Sequence, residues 1–567
     1  MQLVIDGHEV TAHPGQSLLD IIRPLGLIQG KVSADPLAAR IAGEVFTLNY
    51  IPVRPKDAAG ESLNVRQAMA ASGGVVQLLR YSDPSGKDSY VRTAQFVIFL
   101  AIHRLWPRAL AKMNCTLGPG LYIEVKDAPK FCVQRLKDEI ARIVAADIPL
   151  LRRRVTTAEA IAYFERRGDD DKARLLRWWP NEWFDVYVHD DFWDYHYGEM
   201  APSTGYVRVW DVRPSEGGFL FLFPDDRNPD QVGTYEHMPH FLSVFNEGER
   251  WCSLMECETV ADLNDLVESG RIRELIRVNE ALHEKRYSQV ADRICQRGAK
   301  VVLLAGPSSS GKTTSANRLA TQLRVHGKKP ILMSLDDYYI DRDKIAPGPD
   351  GKMDFEHINT IDVELFKAQM GALLRGEDVA LPTFDFKSGR RVWQGHHLRL
   401  HPDSVIIVEG LHALNPQLQP DGMEAGLIFR LYVSPLLPLN LDDHNRIPTS
   451  YLRLLRRIVR DYETRGASVQ HTMSMWDSVR RGEKRWIYPF QENADMIFNS
   501  STLYELAVLK KHIYPLLVAI GPEDPWYDEV RVVVKILNLV READVDDEIP
   551  PTSLVREFIG GNSFYRK

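Results

Sequence analysis

Cysteine is scarce in this chain, and what there is forms no pattern suited to redox or metal chemistry. Cys115, Cys132, Cys252, Cys257 and Cys295 are odd in number and contain no Cys-x-x-Cys pair. That usage excludes a disulfide framework and fits unpaired thiols in a reducing compartment. His237, His240, Cys252 and Cys257 have only a loose zinc-ligand spacing, and ordinary packing is the better reading. A surplus of positive charge is lacking too. The formal net charge is -7 and the sequence pI is near 6.2. No chain-wide basic field gathers nucleic acid, so RNA binding would have to come from a local patch. Long apolar runs are missing as well: stretches such as Phe96 to Ile102 fall far short of a bilayer span. The opening Met-Gln-Leu-Val-Ile-Asp lacks the basic-then-apolar order of a secretory signal. The expectation is a cytoplasmic protein with no membrane residence. No internal repeat or low-complexity segment stands out.

What is present is a globular composition, with 44% hydrophobic and 26% charged residues over 567 positions. That length asks for about three or four domains. Residues 2 to 5 read as a strand, Asp6-Gly7 as a turn, His8 to Ala12 as the returning strand and Ser17 to Ile22 as a short helix. Pro36 to Ile41 and Glu44 to Leu48, around Gly43, add a second hairpin. Strand, turn, strand, helix opens a β-grasp module. Residues 1–62 resemble the TGS domain at the start of threonyl-tRNA synthetases and of some stringent-response and GTPase proteins.

Residues 63–245 resemble the second, editing-type α+β domain of threonyl-tRNA synthetase, through Ala101-Ile102-His103-Arg104-Leu105-Trp106-Pro107 and Gly118-Pro119-Gly120-Leu121-Tyr122. The metal ligands of that family are replaced. Its His-x-x-x-His pair falls here on Phe96 and Leu100, and its Cys-x-x-x-His pair on His196 and Met200. The expectation is a scaffold without the editing reaction. The stretch Tyr195 to Tyr206 could line a ligand pocket, although packing is the commoner use of such aromatic loops. From Val260 to Gln296, Leu263, Leu266, Ile272, Leu275, Ile276, Val278, Leu282, Val290 and Ile294 recur at helical spacing. Residues 246–298 are therefore expected to be connecting helices whose charges face solvent. Residues 521–567 are a C-terminal extension with no assigned role.

The richest signal is Gly306-Pro307-Ser308-Ser309-Ser310-Gly311-Lys312-Thr313-Thr314, a phosphate-binding loop between the apolar run Val301 to Ala305 and a helix-forming stretch from Ser315 to Val325. The glycines let the backbone curl so that amides point at phosphate oxygens, and the helix adds its positive end. Gly306, Ser308, Ser309, Ser310, Gly311, Lys312, Thr313 and Thr314 are the expected nucleotide contacts. Lys312 should bridge the β and γ phosphates and Thr313 should offer its hydroxyl to Mg2+. Pro330 to Ser334, Ser404 to Glu409, Leu427 to Val433 and Asp495 to Asn499 are further short apolar runs separated by helical patterns, which predicts a parallel α/β sheet. In such sheets ligands gather at the carboxyl ends of the strands. Asp336 falls at one of these ends and is the expected base for an attacking hydroxyl, with Asp337 its rival. Glu409 falls at another, where an acid among apolar residues needs a metal partner.

Residues 299–520 resemble the uridine kinase and phosphoribulokinase family. The resemblance rests on the loop, Ser334 to Tyr339, Asp354 to His357, Leu381 to Phe386, Val405 to Gly410 and Arg456 to Gly466. It implies ATP with Mg2+, Asp336 as base and metal neighbour, and Glu409 as second acid of the ion site. It also implies Arg460 and Arg465 as lid arginines, with Glu356 and Arg457 at the acceptor's ribose. The pyrimidine-reading Tyr and His of uridine kinases fall on Phe384 and Gly389, so both polar readers are missing. Asp442 to Arg446 and Arg480 to Arg485 are candidates for reading another base or a phosphate, or for the lid. The leading expectation is γ-phosphoryl transfer to a nucleoside or related ribose compound. The alternatives are a sugar-phosphate kinase and an RNA-binding or nucleotide-sensing ATPase that works through the synthetase-like half.

Overall fold

The left-handed pair Asp6 (φ 46) and Gly7 (φ 84) turns the chain back on itself, so Gln2–Ile5 and His8–Thr11 pair antiparallel. Ser17 then caps the short helix Leu18–Ile22 in a reciprocal box with Asp20. Ala42 (φ 48) and Gly43 (φ 82) make the second tight turn, between Ala38–Ile41 and Glu44–Thr47. The computed structural model describes residues 1–52, 73–345, 354–419 and 424–564. The expected boundary between 62 and 63 lies outside these residues. The sheet does not close on the two hairpins alone: its middle strand is Val75–Leu79, parallel to Gln2–Ile5 and antiparallel to Ala38–Ile41. Two hairpins side by side leave an unpaired seam. Val76 and Leu78 fill it while burying their side chains in the module's core.

Two further antiparallel sheets follow. One runs in the order Asp211–Ser215, Gly218–Leu222, Gly120–Lys126, Leu110–Leu117; the other is Phe192–Asp194, Trp183–His189, Arg152–Thr156. The helix Pro84–Leu105 supplies much of the core, burying every residue from Phe96 to Ile102. Phe96 and Leu100 are therefore packing residues, and Met200 is fully buried in the same cluster.

The P-loop segment is a five-stranded parallel sheet in the order Lys329–Ser334, Ser404–Glu409, Val301–Ala305, Ile428–Ser434, Met496–Asn499. Its middle strand is buried along its whole length, as a strand covered on both faces must be. A two-stranded ribbon, Val379–Asp385 with Arg390–Leu398, forms a separate antiparallel pair.

Two expectations about the surroundings need correction. The long helix Ile272–Arg297 does not turn all its charge to solvent. Asn279, Glu280, His283 and Tyr287 are buried, Tyr287 shares a hydrogen bond with Ser315, and Glu280 pairs with Arg318. A polar face is retained there because it meets polar groups of the helix that follows the phosphate loop. Asp442 to Arg446, a candidate base or phosphate reader, instead forms a small hairpin docked into the synthetase-like segment. Asn440 donates to the Met113 carbonyl and Tyr195 Oη donates to Asp442 Oδ2 at 2.8 Å. The His444 ring stacks on Phe99 with centroids 3.6 Å apart. Lys172 Nζ sits 2.6 Å from Asp194 Oδ1 and 2.7 Å from His444 Nδ1, with Lys172 and Asp194 both buried. Burial opposes a charged carboxylate, but Lys172 and His444 hold Asp194 well below the usual range. Among the described residues, no helix is long and apolar enough to cross a membrane.

Candidate active site

The three strands Lys329–Ser334, Ser404–Glu409 and Val301–Ala305 are neighbours, so their carboxyl ends bring three loops to one place. The first is the phosphate loop. A Cβ on Gly306 would lie 2.1 Å from the Val433 carbonyl, so only glycine lets the chain leave the strand there. Ser309 (φ 58) and Gly311 (φ 85) are left-handed and curl the backbone into the helix Lys312–Val325, whose N-cap is Gly311. The Ser309 and Ser310 hydroxyls are buried without a hydrogen-bond partner. Such orphans cost about 1–3 kcal/mol each, a debt that phosphate oxygens would relieve. The cradle thus fits a nucleotide's phosphates by its own unmet hydrogen bonding.

Lys312 Nζ donates to the Pro307 carbonyl at 3.1 Å. Burial lowers its pKa, while Glu409, Asp336, Glu557 and Glu483 pull the other way. Asp336 is not on the strand itself. It lies one residue into the 3-10 turn Leu335–Tyr338, where the Ser334 hydroxyl accepts its backbone N–H. Burial raises the Asp336 pKa and Asp337 adds to the rise, with Lys312 and Arg465 opposing. Asp337 is committed elsewhere, its Oδ1 accepting the Phe384 N–H at 3.1 Å. Glu409 ends its strand and accepts from Thr313 Oγ1 at 3.3 Å and from Ser334 Oγ at 3.4 Å. Burial and the neighbouring Asp336 push its carboxyl up to about 7. Thr313, Glu409 and Asp336 form an all-oxygen donor set around the loop lysine. Mg2+ takes one or two carboxylates, a hydroxyl and phosphate oxygens, so this set fits it.

The helix Thr449–Arg465 carries the arginines and stops at Gly466 (φ 63). Arg457 donates to Ser308 Oγ at 3.0 Å, which places it against the loop. Arg457, Arg460 and Arg465 converge on Asp461 at 3.3, 3.0 and 3.2 Å. Only Arg465 of the two expected lid arginines also figures among the charges that act on Asp336. Burial followed by Glu483 raises the Glu356 carboxyl to about 7, although the Arg457 charge opposes the rise. Phe384 is buried and lies against Tyr339 and Phe386, with ring centroids 5.6 and 5.1 Å away. The Gly389 position is filled by Arg342, whose side chain a Cβ would meet at 2.6 Å.

Arg453, Glu505 and Glu557 escape sequence reasoning, and Arg456 and Glu483 enter it only as members of longer motifs with no role of their own. Arg453 pairs with Glu483, whose Oε1 accepts the Ser308 N–H at 2.9 Å. Arg456 pairs with Glu505 and donates to the Ser309 and Ser500 carbonyls. From the C-terminal extension, Glu557 Oε2 accepts the Thr314 hydroxyl at 2.6 Å and its N–H at 3.3 Å. Helical spacing was the available signal for Arg453, three residues before Arg456 and four before Arg457. Nothing in the sequence around Glu557 points to the loop.

A parallel sheet with a phosphate loop and two acids at adjoining strand ends defines a P-loop nucleotide-binding domain. Residues 301–507 match the model of the Phosphoribulokinase / Uridine kinase family. The chain is similar to the uridine kinase of Lactobacillus helveticus (strain DPC 4571), at 28% identity over 198 residues, 35% of this chain and 84% of that protein. The chain is also similar to the threonine–tRNA ligase of Syntrophomonas wolfei, at 24% identity over 228 residues, 40% of this chain and 32% of the ligase. Among solved structures, one described as a possible uridine kinase from Bacillus stearothermophilus aligns at 19% identity and a TM-score of 0.25, covering 37% of this chain and 97% of that one.

Proposed function

We propose that the chain is an ATP-dependent kinase that moves the γ-phosphoryl group to a hydroxyl of a nucleoside or related ribose compound. The observation that carries this reading is the convergence of Lys312, Asp336 and Glu409, with the Thr313 hydroxyl on Glu409. In this reading the loop amides and Lys312 hold the triphosphate. Mg2+, when bound by Thr313 and Glu409 beside Asp336, supplies charge neutralisation on the phosphate oxygens. The acceptor's hydroxyl oxygen forms the new bond to the γ-phosphorus as the bond to the β-bridging oxygen breaks, and the hydroxyl proton passes to Asp336. Asp336 suits that role because burial raises its basicity, with Lys312 and Arg465 acting against the rise. Arg465 neutralises charge on the phosphoryl group in flight, and Glu356 with Arg457 holds the ribose hydroxyls.

The acceptor's base meets an aromatic wall of Tyr339, Phe384 and Phe386 instead of polar readers. Stacking tolerates any planar base, so selectivity among nucleosides should be weak compared with a hydrogen-bonding site. The segments before the P-loop domain act as a scaffold, since Phe96, Leu100 and Met200 offer no metal ligand at the replaced positions.

The test is the purified chain with ATP, Mg2+ and a panel of nucleosides, nucleotides and ribose phosphates, with products identified by mass. A nucleoside product heavier by one phosphoryl group is expected. Product from a ribose phosphate alone would move the acceptor class. ATP bound with no acceptor phosphorylated would sink the reading.

A further inference from the structure

We propose that Glu557, far outside the family-matched segment, is a built-in competitor for the nucleotide's phosphates and sets the affinity of the phosphate loop. The proposal rests on the reading of that loop as an ATP site. Gly311 is the N-cap of the helix Lys312–Val325, so Thr314 is its third residue and its N–H is one of those the helix leaves unpaired. This N–H and the neighbouring hydroxyl are donors that a phosphate at a helix N-terminus takes. Glu557 Oε2 holds both, at 3.3 and 2.6 Å, and Asn562 Nδ2 lies 3.4 Å from the same hydroxyl. A carboxylate and a phosphate oxygen cannot share these donors, and their charges repel at contact.

The C-terminal segment is placed there by packing. Leu554, Val555 and Phe558 are fully buried, and Leu554 lies so close to Gly311 that a Cβ there would meet it at 2.6 Å. Arg456, which grips the Ser309 carbonyl, also sits over the Phe558 ring at 4.9 Å. The segment is thus anchored by its apolar residues while a half-buried carboxylate reaches into the cradle.

A second carboxylate on the loop gives an internal comparison. Glu483 accepts the Ser308 N–H, but Arg453 neutralises it through two hydrogen bonds of 2.5 and 2.8 Å. Glu557 has no ion pair among the described residues; the Thr314 donors, their helix end and the more distant charge of Lys312 are what hold it. Glu483 is a fixed strut. Glu557 lacks such a strut, and an arriving phosphate supplies both the repulsion and the replacement acceptor. Nucleotide binding must include that displacement, so affinity is lower than the loop alone would give.

The experiment is calorimetric titration of the full chain and of Glu557→Gln with ATP, ADP and adenosine. The variant should bind ATP and ADP about tenfold tighter, since a charge-assisted contact no longer has to be broken. Adenosine, which carries no phosphate, should bind both proteins alike. Glu557→Asp keeps the charge and shortens the reach, so it should fall between the two, and it serves as the readout should Glu557→Gln fail to fold by circular dichroism. Unchanged ATP affinity in a folded variant would overturn the proposal and leave the kinase reading standing. Weaker ATP and adenosine binding in the variant would make Glu557 part of the nucleotide site and overturn it too. If neither protein binds ATP, the ATP-site reading falls and the proposal with it.

Discussion

Asp336 and Asp337 are adjacent in sequence and separated in role by one hydrogen bond. The Asp337 carboxylate accepts the Phe384 N–H and so fastens the turn to the two-stranded ribbon, while Asp336 is left to the charge of Lys312. Asp336→Asn should lower kcat by roughly 10²–10⁴ and leave the Kd for ATP within a few-fold. Asp337→Ala should keep most of kcat and cost about 1 kcal/mol of stability, the worth of one hydrogen bond. Steady-state rates with nucleotide titration check the first, and urea unfolding checks the second. A reversed outcome would make Asp337 the base. At this scale the sequence was most legible where residues are bound by short range. Lys312, Thr313, Asp336 and Glu409 could be read because each sits within a few residues of a strand end or helix start. Glu483 and Glu557 could not, because what makes them part of the loop is contact across 175 and 243 residues of chain.

Among elements, the helix Thr449–Arg465 bears on both loop and acids. Its inward arginines, Arg453 and Arg456, are spent on structure, each closing on a buried glutamate and a loop carbonyl. Its last turn is different, because Asp461 gathers Arg457, Arg460 and Arg465 beside the cleft. The sequence treated Arg460 and Arg465 as equivalents. Their surroundings do not, since Arg465 bears on Asp336 while Arg460 is held by two hydrogen bonds to Asp461. Arg465→Ala should therefore lower kcat by roughly 10²-fold with little change in ATP affinity, in line with removing a donor from developing charge. Arg460→Ala should cost several times less. Equal losses in kcat for the two variants would restore the symmetric pair. The strands of the parallel sheet were readable in advance because apolar runs bounded by helical patterns admit few alternatives. The strand Val75–Leu79 was not assigned because its partners come from the far end of the module.

At the scale of the whole molecule, the question is why synthetase-like segments remain in front of a P-loop domain. The docked hairpin gives a physical answer. Residues Asn440 to Arg446 precede the arginine helix directly, and several of their polar groups pair with the front segment, at Met113, Lys172, Asp194 and Tyr195. No sequence pattern announces this, because Lys172 and His444 are 272 residues apart. Lys172 is 1% exposed in its side chain and faces Asp194 at 0%, so both charges depend on each other. Lys172→Met would leave the buried Asp194 with only His444 and the Tyr195 N–H as partners, and breaking such a pair typically costs about 3–5 kcal/mol. The double change Lys172→Met with Asp194→Leu removes both charges and should recover much of that loss, as apolar replacements of buried pairs do. If the front segment and the P-loop domain fold as one unit through this contact, urea unfolding of the single variant should shift the fluorescence transitions of both halves together. A single variant that unfolds its front half early while the P-loop half keeps its midpoint would show that the hairpin is a passenger, and that the front segments do not brace the helix behind it.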